Sequence, residues 1–76
     1  MKKNVLSSLK QALPPIIARK DINKLTGGLL SARYLANLDS AGIGPKGRVR
    51  IGRLVGYDRE SFISWLNERM QDINLD

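Results

Sequence analysis

The chain has 76 residues, with 13 Lys and Arg against 7 Asp and Glu, and neither cysteine nor histidine. One small domain follows, burying only about 60% of its unfolded surface, so a deep catalytic cleft is not expected. Without thiol or imidazole there are no disulfides, no zinc site of the usual kind and no histidine general base, and an enzyme is the weakest reading. The formal net charge of +6 is unevenly placed: residues 1–39 hold seven cations and two acids, residues 40–57 four cations and no acid, and residues 58–76 two cations and five acids. A basic body with an acidic end calls for a polyanionic partner, nucleic acid first.

Met1 to Leu13 sets Val5, Leu6, Leu9, Ala12 and Leu13 at helical spacing, with Lys2, Lys3 and Lys10 elsewhere. This predicts a short amphipathic helix resting on the core. Ser7, Ser8, Lys10 and Gln11 interrupt the apolar positions, so neither a signal peptide nor a membrane span is supported. Pro14 and Pro15 stop the helix and extend the chain, and Ile16 and Ile17 read as a short strand or staple. Ala18, Ile22 and Leu25 then mark one face of a two-turn helix, and Thr26, Gly27 and Gly28 form a turn.

Ser31 is a good N-cap for the next helix, and Gly42 its natural stop. Tyr34, Leu35, Leu38 and Ala41 form the expected inward stripe, leaving Arg33, Ala36, Asn37 and Ser40 outside. Two helices joined by a short glycine turn make a helix-turn-helix, whose second helix enters the DNA major groove. Arg33 and Asn37 stand four residues apart on one face, where Arg matches the guanine O6 and N7 edge and Asn the adenine N6 and N7 edge. Tyr34 is expected in the core, with its hydroxyl within reach of a phosphate.

Between Ser40 and Tyr57 come Lys46, Arg48, Arg50 and Arg53. Arg48 and Arg50 alternate with Val49 and Ile51, the period of a strand with two unlike faces. Two hairpin registers compete. A two-residue loop, Gly52 and Arg53, pairs Ile51 with Leu54 and leaves Val55 and Tyr57 on the arginine face. A three-residue loop, Gly52 to Leu54, pairs Ile51 with Val55 and Val49 with Tyr57, gathering the apolar residues on one face. Burial favours the second, which predicts a wing with a cationic outer face and Gly52, Arg53 and Leu54 at its tip. Asp58 then caps a last helix whose Phe62, Trp65, Leu66 and Met70 face inward, with Trp65 in the core rather than stacking on bases. The expected fold is α+β and mainly α: a small winged helix-turn-helix with a two-stranded wing over residues 16–70, an N-terminal helix over 1–13 and a mobile acidic tail over 71–76.

These features resemble the small winged-helix proteins that include phage excisionases and AlpA-type regulators, related to the DNA-binding end of MerR regulators. The resemblance covers roughly residues 16–70. It rests on the first helix from Ala18 to Leu25, Ser31 opening the second, Gly42 and Pro45 after it, the run RVRIGRLVGYD, and the closing helix with Trp65 and Leu66. The chain departs from the pattern at Ala18, where Ser or Thr is usual, at Asn23, where a small residue is usual, and in a turn from Thr26 to Leu30 that is a residue or two longer.

The resemblance implies specific double-stranded DNA binding without catalysis, by a bacterial or phage-encoded protein of the cytoplasm that joins the nucleoid when bound. Excisionases bend DNA in several copies and drive an integrase toward excision, whereas AlpA-like relatives regulate transcription. Ser31, Arg33, Ala36, Asn37 and Ser40 would read bases. Lys46, Arg48, Arg50 and Arg53 would neutralise phosphates, with Arg53 and Leu54 at the minor groove and Arg19, Lys20, Lys24 and Tyr34 as lesser phosphate contacts. One such module buries on the order of 600–1,000 Å² on DNA, so cooperative self-association or help from an integrase is expected. No cofactor, metal, membrane or small-molecule substrate enters this reading. A basic RNA-binding protein is the main rival, and against it the aromatics Tyr57, Phe62 and Trp65 are claimed by the core.

Overall fold

The computed structural model describes residues 2–71. An N-terminal helix, α1 (Lys2–Ala12), leads into strand β1 (Ile16–Ala18), a 3-10 turn (Arg19–Asp21) continuing as α2 (Ile22–Leu25), then α3 (Ala32–Ser40), β2 (Arg48–Ile51), β3 (Leu54–Asp58) and α4 (Arg59–Arg69). The fold is α+β and mainly helical, a helix-turn-helix followed by a hairpin wing. The expected tail lies outside the described residues, apart from exposed Gln71.

The core is Leu13, Ile17, Ile22, Leu35, Leu38, Tyr57 and Phe62. Leu13 follows the end of α1, where Pro14 and Pro15 bar further helix. Arg59 ties this corner to α4, its guanidinium donating to the Leu13 carbonyl at 3.1 Å and its backbone N–H to the Pro15 carbonyl at 2.9 Å. The N-terminal helix therefore rests on α4, as expected, but Val5 and Ala12 of its stripe are exposed.

Ala18 ends β1 rather than opening a helix, and in that position it gives the 3-10 turn no side-chain cap. The long turn to α3 is tied instead by side chains. Thr26 Oγ1 donates to the Ile22 carbonyl at 2.7 Å and accepts from the Leu30 N–H at 3.1 Å, while the Asn23 amide donates to the Leu30 carbonyl at 3.0 Å. Ser31 caps α3 by accepting from the Tyr34 N–H at 3.0 Å. The helix ends in a Schellman motif, with Gly42 at φ +77°, its N–H on the Asp39 carbonyl and the Ile43 N–H on the Leu38 carbonyl. Leu35 and Leu38 point inward, but Tyr34 and Ala41 are exposed. The inward face is narrower than the stripe predicted, because α3 packs mainly on the short 3-10 segment.

The sheet is antiparallel with strand order β1-β3-β2, so Ile16 and Ile17 belong to a third strand beside the hairpin. The hairpin takes the two-residue loop: Ile51 pairs with Leu54, Arg50 with Val55, Val49 with Gly56 and Arg48 with Tyr57. This corrects the three-residue register. Gly52 has φ +61° and, among the described residues, no non-glycine residue has positive φ, the combination of a type II′ turn with glycine at its first central position. The commonest three-residue loop would demand a left-handed residue at Leu54, at about 1–2 kcal/mol. Turn chemistry outweighs burial here, and the apolar residues divide. Ile17, Val55 and Tyr57 share the inner face with Arg48 and Arg50, while Val49, Ile51 and Leu54 stand exposed on the outer face.

Candidate nucleic-acid interface

The register decides where the arginines go. Instead of decorating an outer face, Arg48 and Arg50 turn toward α3 and, with Arg53 of the turn, form one wall of an open cleft. Ala36 and Ser40 of α3 form the other wall, Arg19 closes one side, and Asp39 and Val55 complete the lining. Groups that the sequence assigned to base reading and to phosphate contact thus meet around one groove.

Asp39 organises this cleft, and the sequence reading missed it. Its side chain is only 5% exposed. Oδ2 accepts from the Tyr57 hydroxyl at 2.6 Å and from an Arg19 guanidinium N–H at 2.9 Å, and Oδ1 lies 3.3 Å from the Arg48 guanidinium. The Arg48 contact is an ion pair without hydrogen-bond alignment, since Oδ1 has no hydrogen-bond partner. Gly44 packs against this oxygen, and a Cβ there would overlap it. Burial and the bond to Asp39 push the Tyr57 hydroxyl up to about 12, an effect that Arg19 only partly offsets. Burial works against the charge on Arg19, yet contact with the Tyr57 oxygen and Asp39 raises its pKa.

Asp39 therefore cancels one of the two charges of Arg19 and Arg48. Arg50 is held differently, its Nε donating to the Gly52 carbonyl at 3.1 Å, which orients the guanidinium without neutralising it. Among the described residues, neither Arg50 nor Arg53 has a carboxylate within 4.0 Å. These two are the strongest uncompensated cations of the wing, with Arg48 behind them.

The other candidates are spread around the cleft. Arg33 and Asn37 are exposed on α3, and Ala36 is half-buried between them and the wing. Ser31 spends its oxygen on the helix cap but keeps its proton to donate. Lys20, Lys24 and Tyr34 are exposed on the helix-turn-helix outside the cleft. Lys46 lies in the loop before β2, bordering a second groove against α4 with Glu60, Trp65 and Glu68. Two acids there end the cationic surface. Leu54 is not part of the turn, which is Gly52 and Arg53 alone: it opens β3 opposite Ile51 and lines the outer face of the sheet rather than the cleft.

The aromatics are structural. Tyr57 and Phe62 are fully buried, and Trp65 packs on Phe62 with ring centroids 5.9 Å apart while its Nε1 donates to the Ile43 carbonyl at 3.0 Å. Only Tyr34 offers an exposed ring. Among the described residues no group of three His, Cys, Asp or Glu could hold a metal ion, and no helix is long and apolar enough to cross a membrane. No protein-family model, curated protein or solved structure matches the chain.

Proposed function

We propose that this protein is a non-catalytic, sequence-specific double-stranded DNA-binding module, acting as an excisionase of a prophage or integrative element, with AlpA-like transcriptional control as the alternative job. One observation carries the reading: the cleft between α3 and the hairpin is walled by Arg48, Arg50 and Arg53 and opens beside the exposed α3 face of Arg33 and Asn37. Phosphates suit the first wall and base edges the second. The alternative of RNA binding has less support, because a single exposed aromatic gives no platform for splayed bases.

The test is titration against DNA from the neighbouring attachment or promoter region and against random duplex, at two salt concentrations. Lys46, Arg50, Arg53 and the one net charge of the Arg19–Arg48–Asp39 group supply about four phosphate-neutralising charges, so log affinity falls with log salt at a slope of about −3.6. Arg50→Ala lowers affinity for both duplexes alike and reduces the slope by about 0.9. Arg33→Ala lowers it mainly for the cognate fragment, by roughly 1–3 kcal/mol. Equal losses on both duplexes for both variants overturn the division of roles, and a flat salt response overturns nucleic-acid binding itself. Stepwise shifts with bending at an attachment site identify the recombination role, and a single operator complex identifies the regulator.

A further inference from the structure

The cleft between α3 and the wing is not uniformly polar. Two of its lining residues, Ala36 and Val55, are apolar, and both are half-buried. They stand on its two sides, Ala36 on α3 and Val55 on β3. Val55 pairs directly with Arg50, so its methyl groups lie beside a guanidinium whose direction is fixed by the Gly52 carbonyl. Ser40, one turn beyond Ala36 on the same face of α3, is exposed and lines the same cleft. The cleft spans about 450 Å³, a size that takes one small organic group.

An apolar spot set between a guanidinium and a hydroxyl has one counterpart in the major groove. Every base pair presents hydrogen-bonding groups there, and the one apolar group is the C5-methyl of thymine. That methyl projects beside the phosphate on the 5′ side of its own nucleotide and next to the substituent on C4. The cleft offers partners for all three together: Arg50 for the phosphate, Ala36 and Val55 for the methyl, and Ser40 for the C4 substituent. A serine hydroxyl donates to O4 or accepts from N4, so Ser40 does not choose between them. The shared chemistry is therefore a C5-methylated pyrimidine, supplied by thymine or by 5-methylcytosine.

Other apolar groups among the described residues do not share this position. Tyr34 and Ala41, also exposed on α3, lie about 140–160° around the helix from Ala36. Val49, Ile51 and Leu54 stand on the opposite face of the sheet. Arg33 and Asn37 lie about 60° and 100° around α3 from Ala36, where they meet the neighbouring bases.

We propose that Ala36 and Val55 form a subsite for the C5-methyl group of one pyrimidine in the major groove, with its 5′ phosphate on Arg50 and its C4 substituent at Ser40. The inference rests on the reading of the cleft as a double-stranded DNA site and adds which base enters it. Binding then responds to cytosine methylation as well as to sequence.

The test uses the full chain and the preferred duplex selected from a random-sequence pool. Each pyrimidine position is filled in turn with thymine, uracil, 5-methylcytosine and cytosine, always correctly paired. At one position per bound copy, thymine is expected to bind about fourfold tighter than uracil, and 5-methylcytosine about fourfold tighter than cytosine, the worth of one buried carbon. Ala36→Gly is expected to abolish both preferences. Val55→Ala, which leaves α3 untouched, is expected to reduce both, and Arg50→Ala to weaken all four duplexes alike, with circular dichroism confirming that each variant is folded. A wild type that prefers its selected duplex yet ignores the methyl group at every position overturns this inference and leaves the DNA-binding reading standing. Methyl preferences that persist in both Ala36→Gly and Val55→Ala overturn it as well, and a wild type with no affinity for duplex DNA overturns both readings.

Discussion

Asp39→Asn separates the two duties of the carboxylate, support of the fold and restraint of charge, because it keeps the shape and removes the negative charge. In the native protein Asp39 receives bonds from Tyr57 and Arg19 and an ion pair from Arg48 while only 5% exposed. Hydrogen bonds to a charged group contribute about 1.5–3 kcal/mol each, and breaking a buried ion pair costs about 3–5 kcal/mol. The Arg19 and Arg48 side chains are 25% and 48% exposed, so both can regain water, and asparagine still offers one acceptor. The expected net loss is about 2–3 kcal/mol, against a total near 4–11 kcal/mol for a chain of this length. In urea, with a slope near 1 kcal/mol/M, the midpoint falls by roughly 2–3 M. Binding moves the other way: with both arginines uncompensated, affinity for random duplex rises and the salt slope steepens by up to about 0.9. Urea unfolding followed by Trp65 fluorescence and a salt-dependent titration at low temperature read the two effects. A loss below about 0.5 kcal/mol, or weaker binding by the folded variant, would refute the assignment of Asp39 as a buried counter-charge.

Two further outcomes test the same network. The Tyr57 hydroxyl, at about 12 in the folded protein against an ordinary 10, binds its proton more tightly when folded. Its contribution is complete below about pH 10 and is lost as pH rises through 12, at up to about 1.4 kcal/mol per pH unit. Tyr57→Phe is expected to cost about 1–2 kcal/mol at neutral pH and to flatten this alkaline decline in urea midpoints measured from pH 9 to 12. Gly44→Ala, which drives a methyl group into Asp39 Oδ1, is expected to destabilise by about 1–3 kcal/mol, read by thermal melting as a drop of some 4–8 °C per kcal/mol.

The helical half of the fold was legible because its signals are local. Ser31 and Asp58 act as caps with their own side chains, Gly42 provides the left-handed stop, and Leu35, Leu38 and Phe62 sit where a 3.6-residue period places them. The stripe misled at Tyr34 and Ala41, since periodicity gives a direction but not the width of the neighbour that covers it. Asp39 was missed for a related reason: its importance lies in partners 18 and 20 residues away in the chain. Its signal was compositional, as the one acid between Asp21 and Asp58 in a basic stretch, next to the inward residue Leu38.

The hairpin is where two sequence rules conflicted. Alternation asked for Val49, Ile51, Val55 and Tyr57 on one buried face, while the turn asked for glycine at the position with positive φ. The domain has too thin a core to bury both halves of that apolar set, so burial could not override the turn. Side chains alternate with period two, and the choice therefore fixed both surfaces at once. Pairing Arg48 with Tyr57 carries Arg48 to Asp39 and Arg50 to the cleft, and by the same step turns Val49, Ile51 and Leu54 out to solvent. The cationic cleft and the apolar outer face are two consequences of one turn at Gly52, so a residue that shifted that turn would remove both.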